Sequence, residues 1–116
     1  MHTVTLPSSI KYIGTNVFAY CVVTSSLTLT NVILIGDSFL QSNTPFNQPI
    51  ALPNITSIGN SFLQGCTSFN STLTLSNNAN FIGANFLYGC TSFAQSLTVP
   101  GGLMKIGSDY NPKGNF

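Results

Sequence analysis

Apolar residues recur along this 116-residue chain at an almost constant interval. An Ile-Gly pair begins at positions 13, 35, 58, 82 and 106, so the steps between pairs are 22, 23, 24 and 24 residues. The stretch from Ile58 to Phe81, IGNSFLQGCTSFNSTLTLSNNANF, is followed directly by a near copy, IGANFLYGCTSFAQSLTVPGGLMK, from Ile82 to Lys105. Such a period is typical of repeat proteins, in which one unit cannot bury its apolar face alone and has to stack on its neighbours.

Each repeat contains one apolar–polar–apolar triplet, and this alternation predicts a half-buried strand. We expect the strands near residues 4–6, 27–29, 50–52, 73–75 and 97–99. Because every strand is entered in the same way, each has to pair in parallel with the strand of the next repeat. Pro7, Pro53 and Pro100 directly follow three of the triplets, and proline ends a strand because it has no N–H for the ladder.

An aromatic residue follows most of the Ile-Gly pairs and predicts a short helical or 3₁₀ turn. A spacing of four residues places the Ile and the aromatic side chain on one side of such a turn. Phe18 lies five residues after Ile13, which indicates one inserted residue in the first repeat. The aromatic residues at the regular spacing are Phe39, Phe62, Phe86 and Tyr110.

The motif IGNSFLQGCTSF, together with the strand LTL and the stretch LPNITSIG, resembles the BspA-like leucine-rich repeats, also called the Treponema pallidum type. The resemblance covers about residues 3–110. It implies an α/β solenoid, a horseshoe segment with one parallel strand and one short helical or 3₁₀ turn in each repeat. We expect residues 1–116 to form a single array of about five strand-bearing units, cut from a longer array.

The resemblance also implies a place and a role for the protein. Members of this family occur mainly on the surface of bacteria and some protozoa, and they are associated with adhesion and with binding of host or matrix proteins. We therefore expect a cell-surface or secreted recognition module that binds protein or glycan. Met1 to Thr3 run straight into the first predicted strand, so from this sequence alone we expect no export signal before Val4.

This chain has few charged residues, and their scarcity limits the classes of partner that it can bind. Apolar residues make up 43% of the sequence, enough for a packed core, whereas charged residues make up only 4%. Average domains carry about 25% charged residues. A net charge of +1 does not provide the excess of positive charge that binding to nucleic acid or anionic lipid needs. No segment approaches the roughly 20 apolar residues that a membrane span needs.

The residues that usually carry catalysis are too few to assemble a site. His2 is the single histidine, so neither a Ser-His-Asp nor a Cys-His set can form, and no C-x-x-C pair indicates a zinc site. Asp37 and Asp109 fall in nearly the same position of two repeats, where we expect them to start the short turns. The sequence predicts a protein that is not an enzyme and that holds no metal or cofactor.

The cysteines occupy one position of the repeat, at Cys21, Cys66 and Cys90, with Asn43 in their place in the second repeat. Neighbouring strands lie about 4.8 Å apart, so Cys66 and Cys90 are close enough for a disulfide. The alternative is a ladder of buried free thiols that act as small apolar spacers. We favour the alternative and expect three free thiols.

The outward residues of the predicted strands are the candidate binding face. They form rows of hydroxyl groups on a parallel sheet, a surface suited to hydrogen bonding with an uncharged ligand. Two other interpretations stay open: the Thr residues reflect β propensity on a solvated face, or the protein is structural and its ends stack head to tail into filaments. The candidate residues are Thr5, Ser26, Thr28, Thr30, Thr72, Thr74, Ser76, Ser96 and Thr98.

Two triplets, Asn54-Ile55-Thr56 and Asn70-Ser71-Thr72, fit the acceptor pattern for N-glycosylation. Such triplets arise by chance in a chain rich in Asn, Ser and Thr. They matter only for a protein that a eukaryote exports.

Overall fold

The structure, a computed structural model, describes residues 4–97 together with residues 105 and 106. This part of the chain contains short strands and turns and no helix, and hence no helix that could cross a membrane. All strand pairs are parallel. The strands are β1 (Tyr12–Ile13), β2 (Leu34–Ile35), β3 (Ile50–Leu52), β4 (Ser57–Ile58), β5 (Leu73–Leu75), β6 (Phe81–Ile82) and β7 (Lys105–Ile106).

The larger sheet is built on the Ile-Gly anchor. Its five strands follow the order β1-β2-β4-β6-β7, and the Ile residues at 13, 35, 58, 82 and 106 lie in one register. From Ile13 to Ile82 each of these Ile side chains is buried, whereas the residue before it is exposed or half-buried. The prediction of one strand per repeat is therefore wrong, because the anchor itself forms a strand. Two residues are too few to show alternation along the sequence.

The smaller sheet contains two of the five predicted strands. β3 pairs with β5 in the register Ile50↔Leu73, Ala51↔Thr74 and Leu52↔Leu75. Residues 4–6 and 27–29 lie outside strands. Residues 27–29 keep the buried–exposed–buried alternation, but no backbone hydrogen bond joins them to β3. Of the fifth predicted strand, Leu97 is outside a strand and residues 98–99 lie outside the described residues.

The predicted helical or 3₁₀ turn after the anchor is wrong. Ser38, Leu40 and Ser42 have φ values of 64°, 56° and 59°, whereas a right-handed helix needs negative φ at every residue. The N–H groups of Ser38 and Ser42 donate to the following repeat and that of Leu40 donates to Val17 of the preceding repeat, at 2.6–3.1 Å. Positive φ recurs at the equivalent residues of the other repeats, which are Asn16, Phe18, Tyr20, Ser61, Leu63, Gly65, Asn85, Leu87 and Gly89.

In these turns, backbone N–H groups bond to neighbouring repeats and not within a helix. The left-handed conformation costs roughly 1–2 kcal/mol for a residue other than glycine. Leu40 and Leu63 nevertheless adopt it, and both side chains are fully buried. Because a buried N–H without a partner costs a comparable amount, the bonds to the neighbouring repeats offset the strain.

The first repeat has no residue inserted before Phe18, which corrects the expectation from its spacing. The N–H of Leu40 donates to Val17, as that of Leu63 donates to Phe39, so Val17 corresponds to Phe39. Phe18 has the positive φ of Leu40 and shares its position. The expectation aligned Phe18 with Phe39 because both are aromatic. The backbone hydrogen bonds set the register, and they align Val17 with Phe39.

Two columns of stacked phenylalanines fill the core. Phe62 lies between Phe39 and Phe86, with ring centroids 5.7 and 5.3 Å away and interplanar angles of 16° and 10°. Phe69 lies likewise between Phe46 and Phe93, at 6.0 and 5.6 Å. Aromatic pairs at such distances contribute about 0.5–1.5 kcal/mol beyond the burial of their surface. Residues at one position of the repeat therefore form continuous columns.

The glycine of the anchor is required because the backbones of neighbouring repeats nearly touch there. A Cβ atom on Gly36 would lie 2.7 Å from the carbonyl carbon of Gly14. A Cβ atom on Gly59 would lie 2.7 Å from the carbonyl carbon of Gly36 and 2.5 Å from Oδ1 of Asp37. Gly83 is equally crowded by Gly59 and Asn60. Gly14 differs, since no atom lies within 4 Å of its Cβ position.

We expect Gly59→Ala to lower the free energy of unfolding by about 1–3 kcal/mol, since the added methyl group has to push two backbones apart. Gly14→Ala is the matched control, and its stability should stay equal to that of the wild type or rise slightly. Urea unfolding followed by circular dichroism measures both variants. Equal losses in the two variants would contradict the close approach at Gly59.

Candidate binding face

The structure leaves most of the candidate hydroxyl groups open to solvent. Within β5 the exposed Thr74 lies beside the exposed Ala51 of β3, and the side chains before and after Ala51 are buried. Thr98 lies outside the described residues. We call the exposed members the hydroxyl face: Thr5, Ser26, Thr28, Thr30, Thr72, Thr74 and Ser96.

Ser76 does not belong to the hydroxyl face. Its side chain is only 8% exposed, and its Oγ donates to the carbonyl of Ile55 at 2.6 Å and accepts from the N–H of Asn78 at 3.1 Å. The prediction continued the alternation of Leu73, Thr74 and Leu75 by one residue. β5 ends at Leu75, however, and the chain turns so that the next side chain points inward.

A shallow depression of about 210 Å³ lies on the hydroxyl face. Its lining combines hydroxyl groups with the backbone and side chains of β5, and it contains no charged residue. The residues are Thr72, Leu73, Thr74, Leu75 and Ser96. This surface can donate and accept hydrogen bonds while offering apolar contact, but it cannot pair with an ion.

Side-chain amides tie the repeats together just before the outward triplets. Oδ1 of Asn47 accepts the N–H of Asn70 at 2.7 Å, and Oδ1 of Asn70 accepts the N–H of Ala94 at 2.9 Å. Gln95 Nε2 donates back to the carbonyl of Asn70 at 3.1 Å. These bonds hold the loops that carry Thr72 and Ser96. Asn47 and Asn70 occupy the same position of two repeats, which is the one signal in the sequence that indicates these bonds.

Asp37 has a similar role beside the larger sheet. Its Oδ1 accepts the N–H of Asn60 at 2.8 Å, and Oδ1 of Asn60 accepts the N–H of Ala84 at 2.8 Å. Asp37 therefore satisfies the backbone of the following repeat from the turn in which it lies. Asp109, for which we expected the same place at the start of a turn, lies outside the described residues.

The cysteine position forms a second ladder inside the core. Sγ of Cys66 donates to the carbonyl of Leu40 and Sγ of Cys90 donates to that of Leu63, both at 3.0 Å. Asn43 takes the same place with its Nδ2, which donates to the carbonyl of Phe18. Its Oδ1 also accepts the N–H of Val23 at 2.8 Å, so the fully buried amide is satisfied at both ends.

All three thiols are free, and two of them are buried. Cys21 is exposed, which corrects the expectation that the whole ladder is buried. Burial, and to a smaller extent the neighbouring Cys90, raise the pKa of the Cys66 thiol to about 12. Burial likewise raises the pKa of Cys90 to about 12. A thiol that stays protonated is a poor nucleophile and a poor metal ligand.

No group of three or more His, Cys, Asp or Glu side chains in the described part of the chain is arranged to hold a metal ion. A family model for the BspA type leucine rich repeat region matches residues 1–111, in six copies. Comparisons with curated proteins and with solved structures found no match. The matched residues include both Phe columns, the cysteine position and the whole described hydroxyl face.

The raised pKa of the buried thiols predicts a loss of stability in alkali. The unfolded chain releases these protons above about pH 9, whereas the folded chain keeps them until about pH 12. The free energy of unfolding should therefore fall between these values, by up to about 1.4 kcal/mol per pH unit for each thiol. Urea unfolding in reducing buffer at pH 8 and at pH 10.5 measures the difference.

The double variant Cys66→Ser and Cys90→Ser is the control, because a serine hydroxyl can donate to the same carbonyls and does not titrate in this range. The wild type should lose on the order of 2–4 kcal/mol more than this variant over the interval. Parallel pH profiles of the two proteins would contradict the buried, protonated thiols.

Proposed function

Because the chain belongs to the BspA type leucine rich repeat family, we propose that it is a non-enzymatic recognition module that binds protein or glycan through the hydroxyl face. Repeat families of this kind serve as protein-interaction or adhesion modules, and they are not typically enzymes. The proposal includes a solenoid arrangement of the whole array. It also places the protein on the cell surface or outside the cell, as is common in this family.

The depression beside β5 is the observation that carries the proposal. It is lined by the exposed Thr72, Thr74 and Ser96 together with Leu73 and Leu75 of β5. Since charged residues make up only 4% of the sequence, affinity has to come from hydrogen bonds and apolar contact. Peptide backbones and sugar rings offer this combination, whereas phosphates and other ions do not.

The face is also held rigid, which favours binding because little conformational entropy is lost. The N–H groups of Asn70 and Ala94, which precede the two sides of the depression, are bonded to side chains of the preceding repeats. No buried side-chain nitrogen or oxygen atom in the described part of the chain lacks a hydrogen-bond partner. The loops around the depression therefore have few polar groups that ligand binding would have to reorganise.

Thr74→Arg tests the proposed face. The purified chain is applied to a glycan array and to a panel of immobilised extracellular-matrix proteins, and the affinity for each probe that binds is then measured. Placing a long charged side chain over the depression should weaken binding by tenfold or more. Because Thr74 is exposed, the substitution should change the free energy of unfolding by less than about 0.5 kcal/mol.

Asn80→Arg is the matched control, since Asn80 is exposed and lies outside the hydroxyl face, next to β6. It adds the same charge and should leave the affinity unchanged. Equal effects of the two substitutions would show that the partner responds to charge and does not occupy the face. Failure of every probe to bind the wild type would count against the recognition role.

A second candidate function is structural, with chains stacking head to tail. The observation that favours it is the open side of the first repeat. Gly14 has free space where Gly36 and Gly59 meet a neighbouring backbone, and Cys21 is exposed where Cys66 is buried. This side presents the same backbone pattern that every later repeat uses to contact the one before it. A repeat of a second chain is therefore a matching partner.

Gly14→Val tests this stacking without disturbing the single chain. The new side chain enters empty space in the monomer, but it would meet the backbone of any repeat stacked in the usual register. If stacking occurs, wild-type protein should show concentration-dependent light scattering and filaments in negative stain, and the variant should show neither. Wild-type protein that stays monomeric at high concentration would exclude the structural function.

A further inference from the structure

The two glycosylation triplets lie in different structural settings. Both asparagines are exposed. An N-linked glycan is attached to Nδ2 and leaves the side-chain oxygen free to accept a hydrogen bond. Attachment replaces one of the two hydrogens of Nδ2 with a bulky sugar, so the surroundings of this nitrogen decide whether the folded protein can accommodate a glycan at that position.

Asn54 uses its nitrogen to hold neighbouring repeats together. Its Nδ2 donates to the carbonyl of Thr30 at 2.7 Å. Asn31, at the same position of the preceding repeat, donates to the carbonyl of Ser8 at 2.7 Å in the same way. Asn31 is followed by Val32 and Ile33 and fits no acceptor pattern. The asparagine at this position is therefore explained by packing between repeats.

Asn70 uses the other end of its amide. Its Oδ1 accepts the N–H of Ala94 at 2.9 Å and Nε2 of Gln95 at 3.3 Å. Its Nδ2 forms no hydrogen bond within the described residues, and the side chain is exposed. A sugar on this nitrogen would preserve the bond to Ala94. The exposed Thr72 completes the triplet on the same surface.

We propose that Asn70 is an N-glycan acceptor that the fold accommodates, and that Asn54 is not. The donor is an oligosaccharide linked to a lipid diphosphate. Nδ2 of Asn70 attacks the anomeric carbon, the new C–N bond forms as the bond from that carbon to the diphosphate oxygen breaks, and Nδ2 loses one proton while the lipid diphosphate leaves. No oxidation or reduction takes place.

The first experiment measures occupancy in the full chain, expressed behind a secretion signal in eukaryotic cells. Intact mass before and after peptide N-glycosidase digestion in ¹⁸O-water counts the glycans, and peptide mapping locates them. The secreted protein should carry a glycan on Asn70, which Asn70→Gln and Thr72→Ala abolish and Asn54→Gln leaves in place. A glycan found on Asn54 and absent from Asn70 would overturn the proposal, as would secreted protein without any glycan.

The second experiment compares what Nδ2 of Asn54 and Nδ2 of Asn70 contribute to folding, and it needs neither glycosylation nor secretion. It therefore remains informative if the chain is retained in the cell. Aspartate keeps the accepting oxygen of asparagine and removes the donating nitrogen. In protein made in bacteria, Asn54→Asp should lower the folding equilibrium constant roughly tenfold, because the carbonyl of Thr30 loses its donor. Asn70→Asp should change this constant less than about twofold. A larger loss of stability in Asn70→Asp than in Asn54→Asp would overturn the assignment, independently of any result on ligand binding.

Discussion

The close approach of neighbouring backbones at the Ile-Gly anchor is the constraint on which the rest of the structure depends. A Cβ atom on Gly59 would lie only 2.7 Å from the carbonyl carbon of Gly36, so a residue with a side chain could not bring these backbones so close. This approach accompanies the parallel register of the larger sheet, in which Ile58 pairs with Ile35 and with Ile82. Equivalent side chains are then brought into columns, and this allows Phe39, Phe62 and Phe86 to stack.

The same register allows side chains to take over bonds that helices or longer strands would otherwise form. Polar side chains of one repeat bond to backbone groups of a neighbouring repeat, as Asn60 does with Ala84 and Cys90 does with Leu63. The chain thus passes through turns of positive φ, and in residues 4–97 no buried side-chain nitrogen or oxygen atom is left without a partner. Ladders of uncharged amides, hydroxyls and thiols thus replace the salt bridges that a charge-poor sequence cannot form.

The hydroxyl face is a consequence of this organisation. Along β5 and residues 26–30, buried or half-buried side chains alternate with exposed Thr and Ser side chains, and the amides of Asn47 and Asn70 hold the loops beside β5. Such a surface is uncharged and preorganised, which suits a recognition function in a repeat family of interaction modules. For the proposed recognition function, we expect specificity to come from positions that vary between repeats, such as Ala51 and Thr74 at one register position.

The sequence by itself determined the repeat period, the family and the inward residues of the triplets, because columns of Ile, Phe and Leu recur at a spacing that is visible without coordinates. It also indicated most of the exposed hydroxyls, since alternation along a strand is a local property. Only the tertiary structure decided that the anchor is a strand and that the following turn is not helical. Contacts with the neighbouring repeat set the φ values there, and Ser76 turns inward because its partner, Ile55, belongs to the preceding repeat.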